Sequence, residues 1–170
     1  FLLRGKFWLY HEELDLFCKF TKITAKIKML LKFLGTGTSQ GIPVIGSQHP
    51  VCLSNNQKVN RLRTSALVTS DAGKKILIDC GPDFRQQMLM NQEEQIDAVL
   101  ITHEHNDHII CLYDLRPLIF KNKVSMPIYC NSRVAEEIKD RFPYAFKDKK
   151  YPGAPSFDLF EIEDDFKLFD

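Results

Sequence analysis

Apolar runs of strand length alternate with segments of helical period along residues 29–170. Met29–Leu34 is a short apolar run that stops at Gly35-Thr36-Gly37. Thr64–Thr69 and Lys75–Asp79 are two more, with the turn signal Asp71-Ala72-Gly73 between them, so the pair reads as a hairpin. Ile96–Thr102 and Met126–Cys130 read as further strands. Phe84–Asn91, Asp107–Phe120 and Ser132–Phe142 read as helices. In the second, Ile109, Leu112, Leu115 and Ile119 recur at helical spacing, and Pro117 is expected to end or kink it. In the third, Ala135, Ile138 and Phe142 share a face and Ser132 is the expected N-cap. Phe157–Ile162 and Phe166–Phe169 look like paired short strands.

Residues 1–28 fit this pattern poorly. Phe7-Trp8-Leu9-Tyr10 is mixed with Lys19, Lys22, Lys26 and Lys28, and Glu12, Glu13 and Asp15 break the apolar pieces, which rules out the continuous core of a signal peptide. The segment reads as an extension outside the folded domain. The rival reading is an amphipathic helix over Leu9–Phe20 that packs on the domain or on a partner.

With 170 residues the chain has enough length for one cored domain and is short for two. A net charge of +1 argues against a dedicated nucleic-acid binder. No apolar run approaches the roughly 20 residues of a membrane span. The five cysteines are scattered with no C-x-x-C pair, which reads as reduced thiols in a cytoplasmic protein.

The chemistry concentrates in His103-Glu104-His105-Asn106-Asp107-His108, where four potential metal ligands fall within six residues. His103 and His105 would point apart on a helix, so the pattern belongs to a loop at the end of the Ile96–Thr102 strand. Neutral imidazoles with a carboxylate suit Zn²⁺ and similar first-row metals. Asp79 closes another apolar strand. A carboxylate there either caps the following helix or orients a metal-bound imidazole through its ring N–H. The glycines of Gly35–Gly41 match neither phosphate-binding loop in full, and a turn is the simpler reading. His49 and Cys52 stand three apart, a spacing open to two ligands of one metal, but a surface His and a buried Cys is the plainer account.

These motifs resemble those of the metallo-β-lactamase superfamily, whose hallmark is His103-x-His105-x-Asp107-His108 together with Asp79-x-Gly81. Gly41-Ile42-Pro43-Val44, Arg63-Thr64-Ser65, Asp79–Arg85 and Asp114-Leu115-Arg116-Pro117 narrow the likeness to phosphodiesterases acting on cyclic ribose phosphates. The tRNA 3′-processing endonucleases and pyrroloquinoline quinone biosynthesis protein B are less similar. The resemblance implies an α+β fold, an αββα sandwich of which residues 29–170 would be the N-terminal half. It implies two Zn²⁺ ions, or Mn²⁺, with His103 and His105 holding one and Asp107 and His108 the other. Asp79 would fix a ligand imidazole from behind, and Asp107 would also steer the attacking water. Arg63 and Arg116 become candidates for a phosphate of a small phosphodiester substrate.

Two departures accompany the likeness. Ser47, His49 and Cys52 stand where the phosphodiesterase subgroup carries C-x-C-x-x-C, so a structural metal there would be lost or residual. No histidine follows His108, and the family's downstream His, Asp and His have no counterpart. The expectation is therefore a metal-dependent phosphodiesterase fold that works only when complete. A non-catalytic fragment with weak metal binding, or a relative of RNA-processing endonucleases, is the alternative. Half a sandwich leaves a core face uncovered, so low stability or association is expected, with room for a homodimer.

Overall fold

The computed structural model describes residues 29–169. The expected extension over residues 1–28, with its alternative helix Leu9–Phe20, lies outside the described residues. Six strands form one mixed sheet in the order of the sequence: β1 (Leu30–Gly35), β2 (Ser65–Thr69), β3 (Lys75–Ile78), β4 (Ala98–Leu100), β5 (Met126–Cys130) and β6 (Phe157–Glu161). β1, β2 and β3 are antiparallel neighbours, and β3 to β6 run parallel.

Each parallel step needs a crossover. α1 (Phe84–Asn91) joins β3 to β4, and α4 (Ser132–Arg141) joins β5 to β6. Between β4 and β5 run α2 (Asn106–Ile109), a 3₁₀ turn (Leu112–Leu115) and α3 (Arg116–Asn122). Such crossovers are almost always right-handed. Strands added in one direction therefore collect their helices on one face. A single core cluster contains Phe84 and Met88 of α1, Ile109 of α2, Ile119 of α3 and Val134 and Ile138 of α4. The same cluster takes in Leu67, Leu77, Val99 and Ile128, which stand side by side in register across β2 to β5.

The other face has no helix on it among the described residues. Phe33, Ala66, Ile78, Leu100, Tyr129 and Phe160 line up in register across all six strands and take no part in the core cluster. Phe33 is 58% and Phe160 44% exposed. Tyr129 stacks on Phe160 at 4.9 Å between ring centroids and on Phe166 at 5.9 Å.

Four expectations about elements change. Phe166–Phe169 forms no strand; Phe166 instead lies against the bare face, over Tyr129. The expected strand Ile96–Thr102 shortens to Ala98–Leu100. Its flanks keep single ladder bonds, Asp97 N–H to Lys75 C=O and Ile101 N–H to Tyr129 C=O. The single helix expected over Asp107–Phe120 is broken into α2, the 3₁₀ turn and α3, because Pro117 falls in the first turn of α3, where its missing N–H costs nothing. Proline thus starts a helix here. The apolar positions Ile109, Leu112, Leu115 and Ile119 are buried as their spacing required.

The fourth change concerns α4, whose N-cap is Asn131 rather than Ser132. The Asn131 side chain accepts from Val134 N–H at 2.9 Å, and Ser132 is already helical. Asn131→Ala is expected to cost about 1 kcal/mol, a fall of roughly 3 °C in the thermal midpoint, while Ser132→Ala leaves it within error. Equal effects of the two substitutions in a thermal melt would contradict this assignment.

The glycine-rich loop proves to be a close-packing device. A Cβ on Gly35 would fall 1.9 Å from the Arg63 carbonyl oxygen. Gly37 N–H donates to Leu62 C=O, Gly41 N–H to Thr38 C=O and Ile42 N–H to Arg61 C=O. Those amides are occupied by the protein's own backbone, which favours the turn reading.

Candidate functional site

The site sits where α/β sheets place their ligands, beyond the carboxyl ends of parallel strands. β3 delivers Asp79 and β4 delivers the His103–His108 loop. Asp79 is 4% exposed and has a φ of 61°, in the left-handed region that aspartate tolerates better than most residues. Its turn lets the next residues approach α2 closely. Cys80 N–H donates to His108 C=O at 2.7 Å, and Cys111 N–H donates to Cys80 C=O at 3.1 Å. Gly81 completes the approach, because a Cβ there would lie 1.9 Å from the Asp107 carbonyl oxygen.

A buried carboxylate needs partners, and Asp79 has three. His108 Nδ1 lies 2.7 Å from Oδ2. Thr102 N–H donates to Oδ1 at 2.9 Å. The Thr102 hydroxyl lies within 2.9–3.0 Å of both oxygens. Of the two readings open for Asp79, orienting an imidazole is the one the structure contains. The α1 N-cap residue, Asp83, makes no side-chain capping hydrogen bond.

One hydroxyl proton settles a second ring. If Thr102 Oγ1 donates to Asp79, it accepts from His103 Nδ1, 3.0 Å away. Asp79 therefore fixes two imidazoles, His108 directly and His103 through Thr102. Each then holds its Nδ1 proton inward and presents Nε2 as a lone pair. Thr102 was not among the candidates read from sequence. The signal was a hydroxyl residue between an apolar strand and the first histidine.

The loop gathers its donors in one place. The His103 ring is 4.7 Å from that of His105 and 3.9 Å from that of His108, centroid to centroid. Asp107 Oδ2 lies 3.2 Å from His108 Nε2. With Nδ1 donating to Asp79, that Nε2 is an acceptor facing an acceptor. Such a pair is stable only with a proton or a cation between them. By chemical type, imidazoles and a carboxylate suit a first-row divalent ion. Among the described residues, no group of three or more His, Cys, Asp or Glu side chains stands so that it could hold a metal ion.

The remaining candidates lie elsewhere in the fold. Arg63 holds the loop together: its guanidinium pairs with Asp83 Oδ1 at 2.9 Å and donates to Ser39 C=O at 2.8 Å, while its backbone N–H donates to Asp83 Oδ2. Arg116 lies over the Tyr113 ring at 5.3 Å and donates to Tyr113 C=O. His49 is exposed and its Nδ1 accepts from Val51 N–H at 3.2 Å. Cys52 is half-buried rather than buried, and Val44 N–H, 3.4 Å from its sulfur, lowers its thiol pKa together with the Ser47 side chain. Burial raises Cys80 well above the usual thiol range and pushes Cys111 and Cys130 up to about 11. Those three thiols stay protonated at neutral pH and are poor nucleophiles. No helix among the described residues is long and apolar enough to cross a membrane.

Residues 74–169 match the family model described as the beta-lactamase superfamily domain. The chain is 46% identical over 132 residues to an octanoyltransferase of Porphyromonas gingivalis, a match covering 78% of this chain and 26% of that protein. Its fold matches the crystal structure of a diphosphatase of the PhnP family with TM-score 0.73 at 37% identity, over 83% of this chain and 53% of that one. It also matches Zn²⁺-bound PqqB of Methylobacterium extorquens with TM-score 0.64 at 19% identity, over 82% of this chain and 48% of that one. The chain therefore spans about half of each solved protein and about a quarter of the octanoyltransferase.

Proposed function

The chain belongs to the β-lactamase superfamily and has its metallo-β-lactamase fold, and from that premise we propose that it carries the first half of a two-metal phosphodiesterase centre. The observation that supports this reading is the Asp79 carboxylate, 2.7 Å from His108 Nδ1 and joined through the Thr102 hydroxyl to His103 Nδ1, an arrangement that would leave each ring its Nε2 for a cation. His103 and His105 would hold one Zn²⁺ or Mn²⁺, and Asp107 and His108 a second. A bound divalent ion would supply a water acidified toward neutral pH and charge to offset that of a phosphodiester.

The protein's own groups do the rest. Asp79 and Thr102 keep the imidazoles aimed. Asp107, beside the His108 ring, would accept a hydrogen bond from the attacking water and orient it. Arg63 and Arg116 remain candidates for a substrate phosphate only through donors not already given to Asp83, Ser39, Tyr113 and Gly153. The likeness to a diphosphatase supports phosphorus–oxygen cleavage. Among the described residues, the thiols beside this centre, Cys80 and Cys111, are both pushed up by burial and lend no support to the acyl transfer that the octanoyltransferase's name raises.

Two measurements test the proposal. Purified chain loaded with Zn²⁺ or Mn²⁺ and desalted is expected to retain metal, and His103→Ala and His108→Ala to lose it. A longer protein containing this sequence and the rest of the sandwich is expected to hydrolyse a chromogenic phosphodiester, and to stop when chelated. Metal-free wild-type protein after loading would overturn the metal reading. A metal-loaded longer form that leaves phosphodiesters intact would overturn the phosphodiesterase.

A further inference from the structure

The His103–His108 loop has two sides, and only one of them is occupied by ligands. His103, His105 and Asp107 alternate with Glu104 and Asn106. The backbone is extended at His105, and Asn106 opens α2. The edge-to-face rings of His103 and His105 show them sharing a side.

Glu104 and Asn106 both meet the same helix. Arg133 Nη2 lies 2.7 Å from Glu104 Oε1 and donates to Oε2 at 2.9 Å. The Glu104 side chain is only 19% exposed, so most of its carboxylate is covered. Arg141 Nη1 donates to Asn106 Oδ1, and the same guanidinium is braced by Glu137 at 3.3 Å, one turn earlier on the helix. Arg133 and Arg141 stand just over two turns apart on α4. Val134, Ala135 and Ile138 of the same helix are buried in the core. The helix is therefore a fixed post, and the loop is tied to it at every second residue.

The geometry points to α4 as a positioning element of the candidate metal-ligand loop, with Arg133 holding Glu104 and Arg141 holding Asn106 so that the ring of the intervening His105 stays against that of His103. A lone exposed ion pair would contribute little. Here the two ties act on alternate residues of one short segment, so together they fix the direction of the ligands between them. The inference rests on the metal reading above for what the loop binds, but not for the ties themselves.

The test uses the 170-residue chain with Arg133→Ala, Arg141→Ala, the double variant, Arg133→Lys and Glu104→Gln. Amide exchange is read in chelator, and Zn²⁺ affinity by competition with a chromogenic chelator. The double variant is expected to speed exchange over residues 103–107 without changing exchange in β5. It should also weaken Zn²⁺ about tenfold, the low end of what orienting partners are worth. Glu104→Gln should act in the same direction as Arg133→Ala and add little to it, and Arg133→Lys should recover part of the loss. Wild-type exchange and affinity in the double variant would overturn the inference. If wild-type chain binds no Zn²⁺, the metal reading falls and exchange alone decides. Faster loop exchange then upholds the ties and unchanged exchange overturns them.

Discussion

Asp79→Ala is expected to cost about 4 kcal/mol of stability and to weaken Zn²⁺ binding by 10- to 100-fold, roughly the worth of an orienting carboxylate. The stability loss follows from what is left behind. His108 Nδ1 and Thr102 N–H would lose an acceptor inside a site where Asp79 is 4% exposed. Each stranded donor costs roughly 1–3 kcal/mol. Alanine also fits the φ of 61° less well than aspartate does. Asp79→Asn separates the contributions. Asparagine tolerates the left-handed backbone and keeps one oxygen acceptor, so it should recover most of the stability and little of the metal affinity. Urea unfolding in chelator gives the first quantity and chelator competition the second. Wild-type values of both for Asp79→Ala would remove Asp79 from the centre of the site.

Gly81→Ala is expected to be at least as damaging, although it removes nothing. The added methyl would sit 1.9 Å from the Asp107 carbonyl oxygen, more than an ångström inside contact distance. Backbone cannot rotate away as a side chain does, so the β3 turn and α2 must part. Ordinary overpacking costs about 1–3 kcal/mol, and this clash belongs at or above the top of that range. Parting them also breaks the bonds from Cys80 N–H to His108 and from Cys111 N–H to Cys80. Gly73→Ala is the control. Gly73 has a φ of 78° but open space around it, so its substitution should cost only backbone strain, about 1 kcal/mol. Thermal melts that rank the two alike would refute the close approach.

Much of this arrangement was legible because it was written in short-range pattern. Lys75–Asp79 and Ile96–Thr102 read as strands from their apolar runs, and both deliver the carboxylate and the loop that they were expected to deliver. Phe84–Asn91 was read with its observed bounds. The failures have local causes. Pro117 is compatible with both ends of a helix, and periodicity alone cannot say which. Asn131 and Ser132 are adjacent residues that both cap well, and only backbone angles choose between them. Phe166–Phe169 has strand composition, but those residues meet Tyr129 of β5 by side-chain stacking and form no ladder. At the site, the candidate ligands show in one stretch of six letters, whereas the Thr102 contacts to Asp79 and His103 appear only in the fold. Arg133 and Arg141, some thirty residues downstream, are ordinary surface arginines until the fold sets α4 beside the loop.

The apolar row from Phe33 to Phe160 gives the chain a kinetic character as well as a shape. Whatever covers that face contributes hydrophobic burial that the helical side does not need for its own packing. Among the described residues no helix lies on it, and that leaves an apolar face six strands wide. It would take up environment-sensitive dyes and engage holdase chaperones. It would also make self-association a matter of concentration rather than of sequence specificity. The lifetime of the uncovered form, more than its equilibrium stability, would then set how much of it a cell tolerates.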